Sequence, residues 1–160
     1  MKKYFILLTL CVSVLSGSEF YIYNIDNKCQ AVFPDKPHIG TFGSYMFNDK
    51  SKGIHYQAVQ NKFPGNFVVK KSEKRKFDSA IKKQMESFGY KILNFNSKVN
   101  GKTFTIEYEA INNMQKSFEY SIEVFKGKNS CKWFVSTGKT SNKQEVKNIF
   151  NRFKNNTKFR

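Results

Sequence analysis

The sequence holds few of the residues from which reactive centres are built. There are two histidines, His38 and His55, and three cysteines in 160 residues. A metal centre needs three or four ligands at supporting spacing. Two isolated histidines with no cluster of Asp, Glu or Cys around them do not supply one, so no metal is expected. Acidic residues are also scarce, 12 against 28 Lys and Arg. No internal repeat, long linker or cofactor motif appears, and no catalytic set can be assembled from spacing alone. The expectation is a chain with no catalytic residues and no cofactor.

What is present begins with an export signal. Lys2 and Lys3 give a positive start, and Phe5 to Leu15 is almost unbroken apolar sequence. Ser16, Gly17 and Ser18 then supply the small residues that a signal peptidase reads. The apolar stretch is shorter than the roughly 20 residues that span a bilayer. Residues 1–18 therefore read as a cleaved signal peptide. Cys11 lies inside the apolar core after Leu10, a poor setting for lipidation. The expected destination is the periplasm or the medium, with no transmembrane segment after cleavage.

Residues 19–154 are the size of one ordinary domain, and 155–160 read as a frayed basic tail. The formal charge is +16, and losing Lys2 and Lys3 with the leader leaves +14. A field of that sign attracts anionic partners, although Lys and Asn are abundant everywhere, as happens when base composition favours their codons. Export removes Cys11 and leaves Cys29 and Cys131. A lone pair in an exported chain is expected to form a disulfide.

Periodicity outlines the elements. Glu19–Ile25, Cys29–Phe33, Thr41–Phe47 and Ile54–Gln60 read as strands, with Pro34-Asp35-Lys36-Pro37 as a turn. Asn61–Lys76 reads as irregular, broken by Phe63-Pro64-Gly65. Phe77, Ala80, Ile81, Met85 and Phe88 fall on one helical face. The strands Tyr90–Phe95, Lys102–Ile111, Ser117–Phe125 and Cys131–Thr137 follow, with Asn100-Gly101 as a hairpin turn. A last helix begins at Ser141 with Gln144 as its capping partner, and Val146, Ile149, Phe150 and Phe153 form its apolar stripe. Mostly antiparallel strands with two amphipathic helices imply an α+β sandwich.

Several strings in this order resemble a known family. The chain has Ala31-Val32-Phe33-Pro34 followed by Asp35-Lys36-Pro37, then a mid-chain helix at Phe77–Phe88. Val99-Asn100-Gly101 leads into the strand Lys102–Ala110. Phe118–Phe125 and Lys132–Ser136 follow, and Phe150-Asn151-Arg152-Phe153 closes the last helix. From Lys28 to Phe153 this is similar to the PsbP-like (Mog-type) α/β/α sandwich family, in its exported bacterial branch of unknown function. The resemblance implies a fold in which two helices flank a mostly antiparallel sheet. It also implies an accessory role more than an enzymatic one.

The sharpest positive feature is the run Lys70, Lys71, Lys74, Arg75 and Lys76, continued by Lys82 and Lys83. Such a run can bind phosphates, and with Phe63 and Phe67 nearby it could stack bases. It can equally be a solvated loop. Export makes nucleic acid an unexpected target. A second basic cluster comprises Lys143, Lys147, Arg152, Lys154, Lys158 and Arg160. Glu107, Glu109, Glu119 and Glu123 alternate with Ser and Thr and read as a solvated sheet face; under a helix they would have to be paired or marginal. Asn155-Asn156-Thr157 is a glycosylation sequon, of consequence only on a eukaryotic secretory route.

The functional expectation is a monomeric, exported, non-enzymatic binding or accessory domain of the cell envelope. It would meet an unknown envelope protein or an anionic surface. The alternative is a secreted hydrolase or effector with a site near His38 and His55.

Overall fold

The computed structural model describes residues 21–25, 28–138 and 143–160. The expected leader and the expected helix start at Ser141 lie outside the described residues. The order is β1 (Tyr21–Ile25), β2 (Cys29–Phe33), β3 (His38–Ile39), a short 3-10 turn (Thr41–Gly43), β4 (Tyr45–Asp49), β5 (Ile54–Phe67) and α1 (Lys74–Ser87). Then come β6 (Tyr90–Asn100), β7 (Thr103–Asn112), β8 (Ser117–Thr137), α2 (Lys143–Asn155) and β9 (Lys158–Phe159). β1, β2 and β9 form a small sheet. A larger one runs β3-β4-β5-β8-β7-β6. The described strand pairs are antiparallel. This is the α+β class expected from the sequence.

β8 explains how the large sheet is wound. Ser130 Oγ donates to Glu123 Oε1 at 2.5 Å, and Ser121 Oγ donates to the Trp133 carbonyl at 3.4 Å. A straight strand would hold residues 121 and 133 about 40 Å apart. The strand therefore doubles back near Gly127, whose φ of 61° is a left-handed conformation that glycine adopts without strain. One arm pairs with β7 and the other with β5. The two strands expected at Ser117–Phe125 and Cys131–Thr137 are these arms.

Each face of the large sheet carries a helix. On β7, Phe104 and Ile106 alternate with Thr105 and Glu107. Glu107 accepts an ion pair from Lys154 of α2 at 2.7 Å, so Phe104 and Ile106 point the other way, toward α1. There they pack with Val69 and Phe125, against Phe67, Phe77 and Ile81. On the α2 side, Val146, Ile149, Phe150 and Phe153 are buried against Phe33, Tyr56, Tyr120 and Trp133. The expected stripe of α2 is fully buried. At about 1.5–3 kcal/mol per large apolar side chain, it contributes on the order of 6–12 kcal/mol before the entropy of ordering it.

Cys29 and Cys131 are joined by a disulfide, with Cα atoms 5.7 Å apart and 102 positions between them in sequence. Cys29 lies on the small sheet and Cys131 on the large one, so the bond ties the two sheets together.

Four local expectations are corrected. Thr41–Phe47 is not one strand: Gly43 takes a φ of 70° and closes the 3-10 turn, and β4 starts at Tyr45. Asn61–Lys76 is not irregular throughout. β5 continues to Phe67 across a register shift between Lys62 and Phe67, and such a bulge accommodates Pro64. α1 starts at Lys74, so three of the seven basic residues sit on its first turn. The tail does not fray as expected, because Lys158 and Phe159 pair with Gln30 and Cys29, and the Arg160 amide donates to the Lys28 carbonyl at 2.7 Å.

Candidate functional site

The basic run divides into an outward set and a tethered pair. Lys70 and Lys71 are exposed in the turn before α1. Lys74 bonds Asp78 at 2.7 Å, and Asp78 also accepts from Ser97 Oγ at 2.7 Å. Lys82 lies 4.8 Å above the Phe95 ring, a cation–π contact that holds it over β6. Arg75, Lys76 and Lys83 remain on the outer face. With Ser79 and Ala80 as a small-residue floor, they line one shallow depression. The helical spacing of 75, 76, 79, 80 and 83 places them on adjacent turns. No ion pair engages these three cations among the described residues.

The start of α1 adds to this field. Glu73 occupies the cap position without a side-chain hydrogen bond, and no acid stands in the first turn. Lys74, Arg75 and Lys76 stand there instead. Their charge opposes the positive end of the helix dipole, an arrangement that an external anion relieves. The apolar stripe of α1 is narrower than its sequence suggests. Phe77, Ile81 and Met85 are half-buried, whereas Ala80 is exposed and Phe88 is 58% exposed.

Phe63 and Phe67 do not serve the basic run. Phe67 stacks on Phe125 at 4.4 Å between ring centres and meets Phe77 edge-on at 5.3 Å; Phe63 stacks on Phe125 at 6.0 Å. Both rings belong to the α1-side core, so neither is presented for base stacking.

The two histidines come to one sheet face. His38 pairs with Met46, and Asn48 two residues on pairs with His55. Neither histidine is hydrogen-bonded or ion-paired to a carboxylate among the described residues; Glu119 acts on His55 only through its charge. His55 Nδ1 bonds Asn48 Oδ1 at 2.5 Å and its Nε2 bonds Gln57 Oε1 at 3.4 Å. Burial pushes the His55 pKa down. Among the described residues no group of three or more His, Cys, Asp or Glu gathers around them. This geometry does not favour a hydrolase site at His38 and His55.

The acidic residues do not form a solvated face. Glu107 and Glu109 sit at the margin of α2. Lys154 pairs with Glu107, and the Tyr120 hydroxyl donates to Glu109 at 3.3 Å. Glu119 and Glu123 point to the α1 side instead, and Glu119 is buried. The hydroxyls of Tyr108 and Tyr90 both donate to the Glu119 carboxylate, the second at 3.2 Å, and Lys132 Nζ lies 3.6 Å away. Burial pushes the Tyr108 pKa up. Burial works against the Lys132 ammonium, but Tyr108 and Glu119 outweigh it and its pKa is raised. This network was missed in the sequence because its four members come from three strands. Alternation shows which residues share a face but not that both faces are covered.

No family model matches the chain, and no curated protein matches it. Among solved structures, the chain is similar to the solution structure of cyanobacterial PsbP (CyanoP) from Synechocystis sp. PCC 6803. The TM-score is 0.61 over 96% of this chain and 99% of that one, at 11% identity. The chain has a PsbP-like fold. At this identity the likeness is one of architecture, and no residue role crosses from one chain to the other. On the PsbP-like frame, then, the outward cations of α1 have to be read from their own surroundings.

Proposed function

We propose that the chain is an exported, non-enzymatic accessory domain of the cell envelope that meets an anionic surface through the outer face of α1. The observation that carries this is the depression in which Arg75, Lys76 and Lys83 surround Ser79 and Ala80. From Lys70 to Ser87 there are seven basic residues and three acidic ones, and the acid Asp78 is already engaged by Lys74 and Ser97. The leader at residues 1–18 supports export, and the disulfide is at home in an oxidising compartment. The PsbP-like fold, the sequence of residues 1–18 and the disulfide support reading the chain as one of the Mog-type, exported branch of PsbP-like proteins. Residues 19–154 act as one monomeric domain. Nucleic acid is not the expected target, because export separates the chain from it and the nearby Phe63 and Phe67, being in the core, offer no base stacking.

Binding to phosphatidylglycerol vesicles, with phosphatidylcholine vesicles as the neutral comparison, tests the proposal. Each Lys or Arg near an anionic membrane is worth about 1 kcal/mol. The triple variant R75Q/K76Q/K83Q should therefore bind about a hundredfold more weakly, and raising salt should weaken the parent protein. Equal binding to neutral vesicles, or full binding by the triple variant, overturns the proposal.

A further inference from the structure

A second site lies on the opposite side of the sheet, distant in chemistry from the α1 depression. A cleft of about 150 Å³ opens between the end of β2, the turn joining β4 to β5, and the last turns of α2. Its floor is apolar, from Pro34, Ile149 and Phe153. Its polar groups are Lys52, Tyr56, Arg152 and Asn156, whose Nδ2 donates to the Arg152 carbonyl at 2.9 Å.

Tyr56 is the decisive residue. The residue as a whole is only 5% exposed, and it lines the cleft with a hydroxyl that no hydrogen bond to a described residue engages. That hydroxyl is left to water or to a ligand in the cleft. The ring cannot swing away. Phe47 and Phe153 hold it at 5.7 and 5.5 Å between ring centres, the second edge-on. Burial pushes the phenol up to about 12, so at neutral pH it is a neutral donor fixed in the cleft wall. Arg152 acts on it electrostatically and has no ion pair among the described residues. The charge of Lys52 is partly answered by Asp49 at 3.9 Å. The cleft therefore presents a fixed O–H donor, an unengaged guanidinium and an apolar floor.

We infer that this cleft binds a small carboxylate bearing an apolar group. The carboxylate would sit between Arg152 and the Tyr56 hydroxyl, since a guanidinium and a hydroxyl together match its two oxygens. The apolar group would lie on Pro34, Ile149 and Phe153. A cavity of about 150 Å³ is known to hold a six-carbon ring, which sets the size of that group. A free phosphate would leave the apolar floor bare, and an alcohol or amide would leave Arg152 without a counter-charge.

Hexanoate titrated into the oxidised full chain, followed by amide NMR shifts, is the test, with hexanamide and acetate as comparison probes. Hexanoate should give saturable shifts around Tyr56, Ile149 and Phe153, and each comparison probe should bind at least tenfold more weakly. Tyr56→Phe and Arg152→Gln should each weaken hexanoate about tenfold while leaving the unfolding midpoint unchanged. The triple variant of α1 should keep hexanoate binding intact, which separates this site from the membrane-facing one. Hexanamide or acetate binding as well as hexanoate overturns the inference. So does undiminished binding by both single variants, or the absence of saturable shifts.

Discussion

The two helices carry the same kind of sequence pattern and hold very different positions. α2 buries Val146, Ile149, Phe150 and Phe153, whereas α1 has no fully buried residue. The difference comes from what stands behind each helix. α2 packs into an angle between two sheets that are fastened by Cys29–Cys131. α1 lies alone on the other face, resting Phe77 on Phe67 and Phe104. An amphipathic stripe fixes which side of a helix faces inward; the layers around it fix how deep it goes. The shallow helix is the one with an outer surface to spare, and that surface is where Arg75, Lys76 and Lys83 lie together.

The largest effect expected on this contrast comes from the disulfide. Replacing both Cys29 and Cys131 by Ser releases a loop of about 100 residues and should cost on the order of 4–5 kcal/mol in the chain-entropy model. Guanidinium unfolding measures it. Unchanged stability would mean that packing alone holds the small sheet and would weaken the explanation of why α2 sits deep. Next is a matched pair of truncations. Phe150→Ala should cost about 3–5 kcal/mol, and Phe77→Ala, half-buried, only about 1–2 kcal/mol. Equal costs would erase the distinction between the helices.

Smaller still is the alkaline limb. Burial pushes Tyr56 and Tyr120 up to about 12, with Glu109 reinforcing the shift at Tyr120, and pushes Tyr108 up as well. In the unfolded chain these phenols lose their protons near 10, so between about pH 10 and 12 the unfolded state holds fewer protons than the folded one. Stability then falls as pH rises through that window. Phenolate absorbance should show a late-titrating group of tyrosines in the folded protein that merges with the rest on unfolding. Tyr56→Phe and Tyr120→Phe should shrink it from the α2 side alone.

The α2 stripe, the strand Cys29–Phe33, the hairpin at Asn100-Gly101 and the cysteine pair were all legible in the sequence. Each is a local pattern or a simple count. The extension of β5 past Pro64 was not, because a proline and a glycine in tandem read as a break unless the bulge opposite them is known. The pairing of Lys158 and Phe159 was not, because two residues carry no period. Phe63 and Phe67 looked like flanks of a loop because nothing local shows that the strand dips back under α1. The run of cations was legible as a cluster; its division into Lys74 and Lys82, held inward, and Arg75, Lys76 and Lys83, left outward, required knowing where the helix starts. The Tyr56 cleft was invisible, since its walls come from three separate parts of the chain.

Trp133 is the sole tryptophan of the chain. It is buried, two residues from Cys131, and its indole N–H donates to the Gln30 carbonyl at 3.2 Å, next to Cys29. The chain's only indole fluorophore is thus built into the seam between the two sheets, beside the sulfur bond that quenches such emission. Its brightness should therefore rise when Cys29–Cys131 is reduced, and its emission should move to longer wavelength when water enters the seam; emission with and without a reductant checks this. Trp133 belongs to the α2-side core and not to the α1-side one, so the α1 triple variant should leave both readings unchanged.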